Sequence, residues 1–208
     1  MQIRPLRIEG AWVMTPTIHG DTRGGFLEWF KHPHFAEATG QRLAIEQANC
    51  SVSARGVLRG IHYADVPPGQ AKYVTCVSGA VLDVIVDLRT GSPTFGTWES
   101  VRLDDRDRRA VYLSEGLGHG FCSLQDGSTV IYLCSTGYSA EREHEIAPLD
   151  PALGIDWQID GLAPQLSAKD AAAPTLAQAA AAGLLPDFAT CQEHVARLRA
   201  GGSSPALG

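Results

Sequence analysis

Arg59, His62 and Lys72 interrupt an otherwise apolar stretch. It runs Val57-Leu58-Arg59-Gly60-Ile61-His62-Tyr63 and, past Pro67-Pro68-Gly69, continues as Gln70-Ala71-Lys72-Tyr73-Val74-Thr75-Cys76-Val77. Burying a cation is costly unless something anionic meets it. Taken singly, each is a satisfied core histidine or a rim charge whose stem lies along apolar surface. Together they point to a site that binds an anion. Asp83, Asp87, His119 and Tyr132 lie equally deep in apolar runs. Asp87 precedes Arg89 by two, which suggests an ion pair at the rim. Asp83 sits in mid-strand and needs a donor; the imidazole of His119 would serve. Gly118 and Gly120 let backbone come close on both sides of that imidazole.

A metal-dependent β-barrel enzyme would gather two or three histidines and a carboxylate, commonly through a pair of histidines two residues apart. His62 is followed two positions on by Ala64 and His119 by Phe121, so that signature is missing. Ser114 and Ser123 lie near His119, but no GxSxG elbow exists for a nucleophilic serine. Gly20-Asp21-Thr22-Arg23-Gly24-Gly25 lacks the spacing and the Lys-Ser/Thr of a phosphate loop. Metal-free acid–base chemistry on an anionic substrate remains.

Alternation makes two strands of the central stretch, joined by the Pro-Pro-Gly turn. Strict period two puts Leu58, Gly60 and His62 on one face and Arg59, Ile61 and Tyr63 on the other. In the second strand Lys72, Val74 and Cys76 oppose Ala71, Tyr73 and Thr75. Further strands are expected at 12–15, 25–30, 44–51, 80–88, 97–103, 109–113, 120–124 and 128–134. Turns about every ten residues point to an antiparallel sandwich or barrel. A short helix is expected over His34–Thr39, ending at Gly40. The C-terminal third is expected to hold a loop around Leu149–Trp157, an alanine-rich helix over Ala171–Leu185 and a last helix over Glu193–Ala200.

Length and composition fit one domain over residues 1–200, with 201–208 a frayed tail. The chain has 208 residues, 44% of them hydrophobic, enough for one sizeable core. A net charge of −6 without a basic run argues against nucleic acid. The first ten residues are too polar for a signal peptide, and no stretch reaches the length of a membrane span. The five cysteines are an odd number with no CxxC pair. They read as small buried hydrophobes in a reducing cytoplasm.

An ordered set of motifs carries a resemblance. It runs Asp21-x-Arg23-Gly24-x-Phe26-x-Glu28, Gln47-x-Asn49, Arg59-Gly60-Ile61-His62-Tyr63, Ala71-Lys72-Tyr73-Val74, Asp83-Val84-x-Val86-Asp87-Leu88-Arg89, Gly91-Ser92-Pro93-Thr94-Phe95-Gly96 and Gly118-His119-Gly120-Phe121. It continues through Tyr132, Tyr138, Glu143, Asp150-Pro151 and Ser167-Ala168-Lys169-Asp170. This set resembles the dTDP-4-dehydrorhamnose 3,5-epimerase family over about residues 5 to 175. The segment Gly183-Leu184-Leu185-Pro186-Asp187-Phe188 is similar to the branch that makes antibiotic deoxysugars.

The resemblance implies an all-β, cupin-type jelly roll working as a homodimer, with no metal and no organic cofactor. The implied substrate is a dTDP-linked 4-keto-6-deoxyhexose, epimerised at C3, C5 or both. His62 then corresponds to the base, Asp170 to its orienting partner, Lys72 to the cation facing the enolate and Tyr132 to the acid on the opposite face. Arg23, Arg59 and Lys169 correspond to diphosphate and nucleotide contacts, and Phe26 to a stacking partner for thymine. Glu28, Gln47, Asn49 and Glu143 would hold the base or sugar. His119, paired with Asp83, would stand near the keto sugar, as would Tyr138. Ala48 departs from the family's usual acidic or amide residue. The alternative is a non-catalytic cupin that binds a sugar nucleotide without turnover.

Overall fold

The computed structural model describes residues 1–159 and 161–201. The early strands are β1 (Gln2–Pro5), β2 (Ala11–Thr15), β3 (His19–Asp21), β4 (Gly24–Phe26), β5 (Gln47–Ser53) and β6 (Leu58–Ala64). The later ones are β7 (Lys72–Ser78), β8 (Ala80–Asp87), β9 (Trp98–Asp104), β10 (Ala110–Leu113), β11 (Leu117–Ser123), β12 (Ser128–Cys134) and β13 (Glu143–Glu145). The helices are α1 (His32–Thr39), α2 (Ala168–Ala171), α3 (Leu176–Ala181) and α4 (Phe188–Arg199).

One sheet has the order β1-β2-β10-β7-β12-β5 and the other β13-β6-β11-β8-β9; β3 and β4 form a separate hairpin. The strand pairs are antiparallel. Neighbours distant in sequence in both sheets give the jelly-roll arrangement. Period two turns Val74, Cys76, Val111 and Val130 of the first sheet toward Val81, Ile85, Leu103 and Phe121 of the second, and this is the core. Outside the second sheet, Leu82, Val84 and Val86 pack with Trp157 and with Leu176 and Ala179 of α3. Covered on both faces, β8 is buried at every residue, which is why it reads as a nearly continuous apolar run. Phe35 of α1 packs outside the first sheet with Tyr73 and Tyr112.

Several boundaries differ from the sequence expectations. The strand expected to run to Phe30 stops at Phe26; beyond it Trp29 and Phe30 pack around Tyr73. Pro174 divides the alanine-rich run. Only α2 and α3 form, the latter capped by Thr175 with Gln178 in a reciprocal capping box. The last helix begins at Phe188 because Asp187 caps it. The Asp87–Arg89 pair forms, but in the interior: Asp87 also accepts from Ser92 and Thr94, and both partners are buried. Four cysteines are buried and Cys50 is exposed; all five are free. Gly202–Gly208 of the expected tail lies outside the described residues. Among the described residues no helix is long and apolar enough to cross a membrane.

Candidate active site

The central strand departs from strict alternation at Gly60. Against β11, His62 faces His119 while Arg59 faces Phe121. Between these pairs Gly60 and Ile61 of β6 oppose the single Gly120 of β11, which defines a bulge. Its effect is to turn Arg59 and His62 to the same side, while Leu58, Ile61 and Tyr63 join the apolar layer behind. This corrects the facing expected from the sequence. Gly60 sits at φ +105°, and a Cβ there would fall 2.5 Å from the carbonyl oxygen of His119. Only glycine fits. Gly118 and Gly120 likewise lie tight against Ile61 and the backbone of Arg59, as their positions suggested.

The side so created lines an open cavity of about 500 Å³ between the sheets. His62 Nε2 lies 2.7 Å from Asp170 Oδ1. Asp170 is N3 of α2, whose N-cap Ser167 accepts from the Asp170 N–H and donates to its Oδ2 at 2.9 Å. Burial alone would raise the Asp170 carboxyl. Donation by His62 and Ser167 and from the Gly60 backbone, with the imidazole's charge, outweighs burial and holds the group below its ordinary value. Next to this pair, His119 Nε2 lies 2.8 Å from Asp83 Oδ2, the partner that the buried aspartate required.

The opposite wall belongs to the first sheet. Tyr132 points inward with Val130, beside the core; burial raises its phenol above the ordinary value, with Cys134 and Glu143 adding to the effect. Lys72 is buried and lines the same cavity, and its ammonium enters none of the ion pairs among the described residues. On β5, Gln47 donates to Asn49 and accepts from the Tyr138 backbone, fixing the chain that carries the exposed Tyr138 ring at the cavity. Ala48 faces away from the cavity, so its departure from the usual residue type alters no lining side chain. Among the described residues no cluster of three or more His, Cys, Asp or Glu side chains is placed to hold a metal ion.

With the site's geometry in view, the comparisons are specific. The family model for dTDP-4-dehydrorhamnose 3,5-epimerase matches residues 5–178. The chain belongs to this family. It is 56% identical over 200 residues to the dTDP-4-dehydrorhamnose 3,5-epimerase of Mycobacterium tuberculosis, covering 96% of this chain and 99% of that one. It is 60% identical over 192 residues to the dTDP-4-dehydrorhamnose 3-epimerase of Streptomyces niveus, covering 92% of each. Among solved structures, a 4-keto-6-deoxy sugar epimerase from the novobiocin gene cluster of Streptomyces spheroides superposes with a TM-score of 0.90 at 60% identity, covering 92% of this chain and 96% of that one. A 3'-monoepimerase of Streptomyces bikiniensis in complex with dTDP-quinovose gives 0.91 at 54%, covering 94% and 98%. The fold is the cupin-type jelly roll of these epimerases.

Of the residues that the resemblance pointed to, Gln47, Asn49, Arg59, His62, Lys72 and His119 line the cavity, as do Tyr132, Tyr138, Glu143, Lys169 and Asp170. Asp83 supports it through His119. Arg23, Phe26 and Glu28 stand apart. Arg23 pairs with Asp21, Glu28 with Lys31, and Phe26 is 68% exposed. Six lining residues had no role from the sequence: Cys50, Ser51, Gln70, Phe121, Glu145 and Ser167, of which the last two make contacts with proposed site residues. Glu145 lies opposite His62 on β13 and holds the Lys169 ammonium, keeping that lysine protonated. Ser167 caps α2. The Ser-x-x-Asp spacing of a helix start was the signal for Ser167, and alternation with Glu143 was the signal for Glu145.

Proposed function

We propose that the chain is an epimerase of dTDP-linked 4-keto-6-deoxyhexoses in deoxysugar biosynthesis, inverting C3, C5 or both through an enolate. One observation carries the reading: an imidazole backed by a buried carboxylate shares a single cavity with a half-buried phenol on the other sheet and a buried lysine.

The roles follow from donor and acceptor capacity. Ionised Asp170 only accepts, so Nε2 of His62 carries its hydrogen toward Oδ1 and Nδ1 presents the lone pair. That lone pair takes the proton α to the ketone. The C–H electrons form the C=C bond of the enolate and the carbonyl π pair moves onto the ketone oxygen, where the Lys72 ammonium stabilises the negative charge. Tyr132, kept protonated by burial, returns a proton from the other wall. Delivery to the face opposite the one deprotonated inverts the centre. The imidazolium then releases its proton to solvent and the phenolate regains one.

Arg59 and Lys169 suit the diphosphate, Arg59 in bidentate fashion. Gln47, Asn49, Glu143 and Tyr138 hold base or sugar, and the His119–Asp83 pair stands by the keto group. Arg23, Phe26 and Glu28 belong to the same binding set but lie outside this chain's cavity. We therefore read the protein as a homodimer in which the β3–β4 hairpin of each copy completes the nucleotide site of the other. The five free cysteines suit a reducing, cytoplasmic setting.

The test is incubation with dTDP-4-keto-6-deoxyglucose in deuterated water, with deuterium located at C3 and C5 by NMR. Deuterium with inversion is expected at one or both centres. Tight binding without exchange would instead establish the non-catalytic sugar-nucleotide binder.

A further inference from the structure

Ser167 meets Asp170 in two ways. Its Oγ accepts from the Asp170 backbone N–H at 3.0 Å and donates to Asp170 Oδ2 at 2.9 Å. The first contact is an ordinary N-cap and needs only an acceptor. The second uses the hydroxyl's single hydrogen, and a carboxylate is the one kind of partner here that must receive it. In the usual capping box the N3 side chain turns back to the N-cap backbone N–H. Here the N3 carboxylate turns elsewhere, with one oxygen on the Ser167 hydroxyl and the other on His62. The Asp170 side chain is only 4% exposed, so solvent is a poor substitute for a lost donor.

We propose that Ser167 is a positioning residue for the base. Its hydroxyl fixes the plane of the Asp170 carboxylate, and that carboxylate fixes the tautomer and aim of the His62 ring. The proposal rests on the epimerase reading given above. Around Asp170 the other charged groups are His62 on β6, Lys169 on its own helix and Glu145 on β13. The tests below leave all three in place.

Three variants separate donation from capping. Ser167→Thr keeps both functions, and Ser167→Ala loses both. Ser167→Gly caps a helix nearly as well as serine but cannot donate. Threonine is expected to retain the wild-type rate. Alanine and glycine are both expected to lower kcat about ten-fold, the worth of one charge-assisted hydrogen bond, with KM little changed. Removing a donor to a carboxylate favours its protonated form. The Asp170 resonance in carboxyl-labelled protein, and the low-pH limb of kcat/KM, should therefore move to higher pH in both. Glycine at the wild-type rate, or an Asp170 titration unmoved by either variant, would overturn the proposal and leave the epimerase reading standing. The carboxyl titration needs no turnover. If it moves while the wild type exchanges no deuterium, positioning of the pair holds and the epimerase assignment fails.

Discussion

His62, His119 and His144 each face a carboxylate, at 2.7, 2.8 and 2.8 Å, so a histidine–aspartate pair alone does not single out the base. Access does. The His62 side chain is 36% exposed and lines the cavity, whereas that of His119 is 9% exposed, and the His144–Asp65 pair lies outside it. We expect His62→Ala to abolish deuterium wash-in at every centre. Asp170→Asn should cost less, on the order of a hundred-fold, because the base remains but is badly aimed. Near-normal exchange by folded His62→Ala would remove the mechanism. Tyr132 is tested by stereochemistry. Tyr132→Phe keeps the ring in the core and deletes only the hydroxyl, so a melting temperature near wild type is expected. His62 can still withdraw and return a proton on its own face. The variant should exchange deuterium with retention of configuration, followed by NMR of the sugar. Complete epimerisation by this variant would place Tyr132 among the packing residues and turn attention to Tyr138. His62, Lys72 and Tyr132 stood out in the sequence as ionisable groups in apolar runs, and they line one cavity; the roles proposed for them rest on the family resemblance. Ser167 was harder to see, since a polar cap is chemically ordinary until its hydrogen bonds are known.

At the scale of elements, strand β12 matches its expected span residue for residue, and β8 and β9 match within a residue or two at each end. Their apolar patterns, continuous in β8 and alternating in part of β9 and β12, are set by burial, which sequence pattern reports directly. The bulge in β6 depends instead on the register of a partner strand about 60 residues away, which local pattern does not encode. The three-residue β13 forms by pairing with β6, and the alternation of Glu143 and Glu145 alone is too short to mark a strand. In the alanine-rich segment propensity favours a long helix, but Pro174 lacks the N–H to continue one, and Thr175 caps a new start. The bulge has a measurable consequence. Gly60→Ala must move either the His119 carbonyl or the turn of β6 that puts Arg59 and His62 on one side. We expect a loss of about 1–3 kcal/mol of stability and a drop in kcat/KM in the fraction that stays folded, read by thermal melting and by steady-state kinetics at low temperature. An alanine variant with wild-type melting and kinetics would mean that β6 reaches the same facing without glycine.

At the scale of the whole molecule, the β3–β4 hairpin is exposed and Arg23, Phe26 and Glu28, which we propose for the nucleotide site, lie outside the cavity; the two describe one problem. If a second copy solves it, two differently damaged chains repair each other. Arg23→Ala with Phe26→Ala on one chain, and His62→Ala on the other, should each give a weak or inactive protein alone. After mixing through dissociation, half of the dimers are mixed, each with one complete site, so activity should recover to roughly a quarter of wild type. No recovery despite mixed dimers, verified by mass spectrometry, would return the hairpin to its own chain. The fold also carries a cost unrelated to that site's proposed chemistry. Glu115, between β10 and β11, is 2% exposed. One of its oxygens has no hydrogen-bond partner among the described residues, and the other has Ser135 Oγ at 3.3 Å. Burial pushes the carboxyl up to about 7, against an ordinary value of 4.5. The folded chain therefore holds this proton more tightly than the unfolded one. The resulting stability is complete below the unfolded value and is lost as the pH rises through about 7, a difference on the order of 3 kcal/mol. Glu115→Gln keeps the shape of the protonated acid at every pH. It should melt close to the wild type at pH 5 and above it at pH 8, by roughly 5–10 °C for a chain of this size. Equal differences in melting temperature at the two pH values would show that Glu115 keeps its charge in the fold, with its unpartnered oxygen solvated.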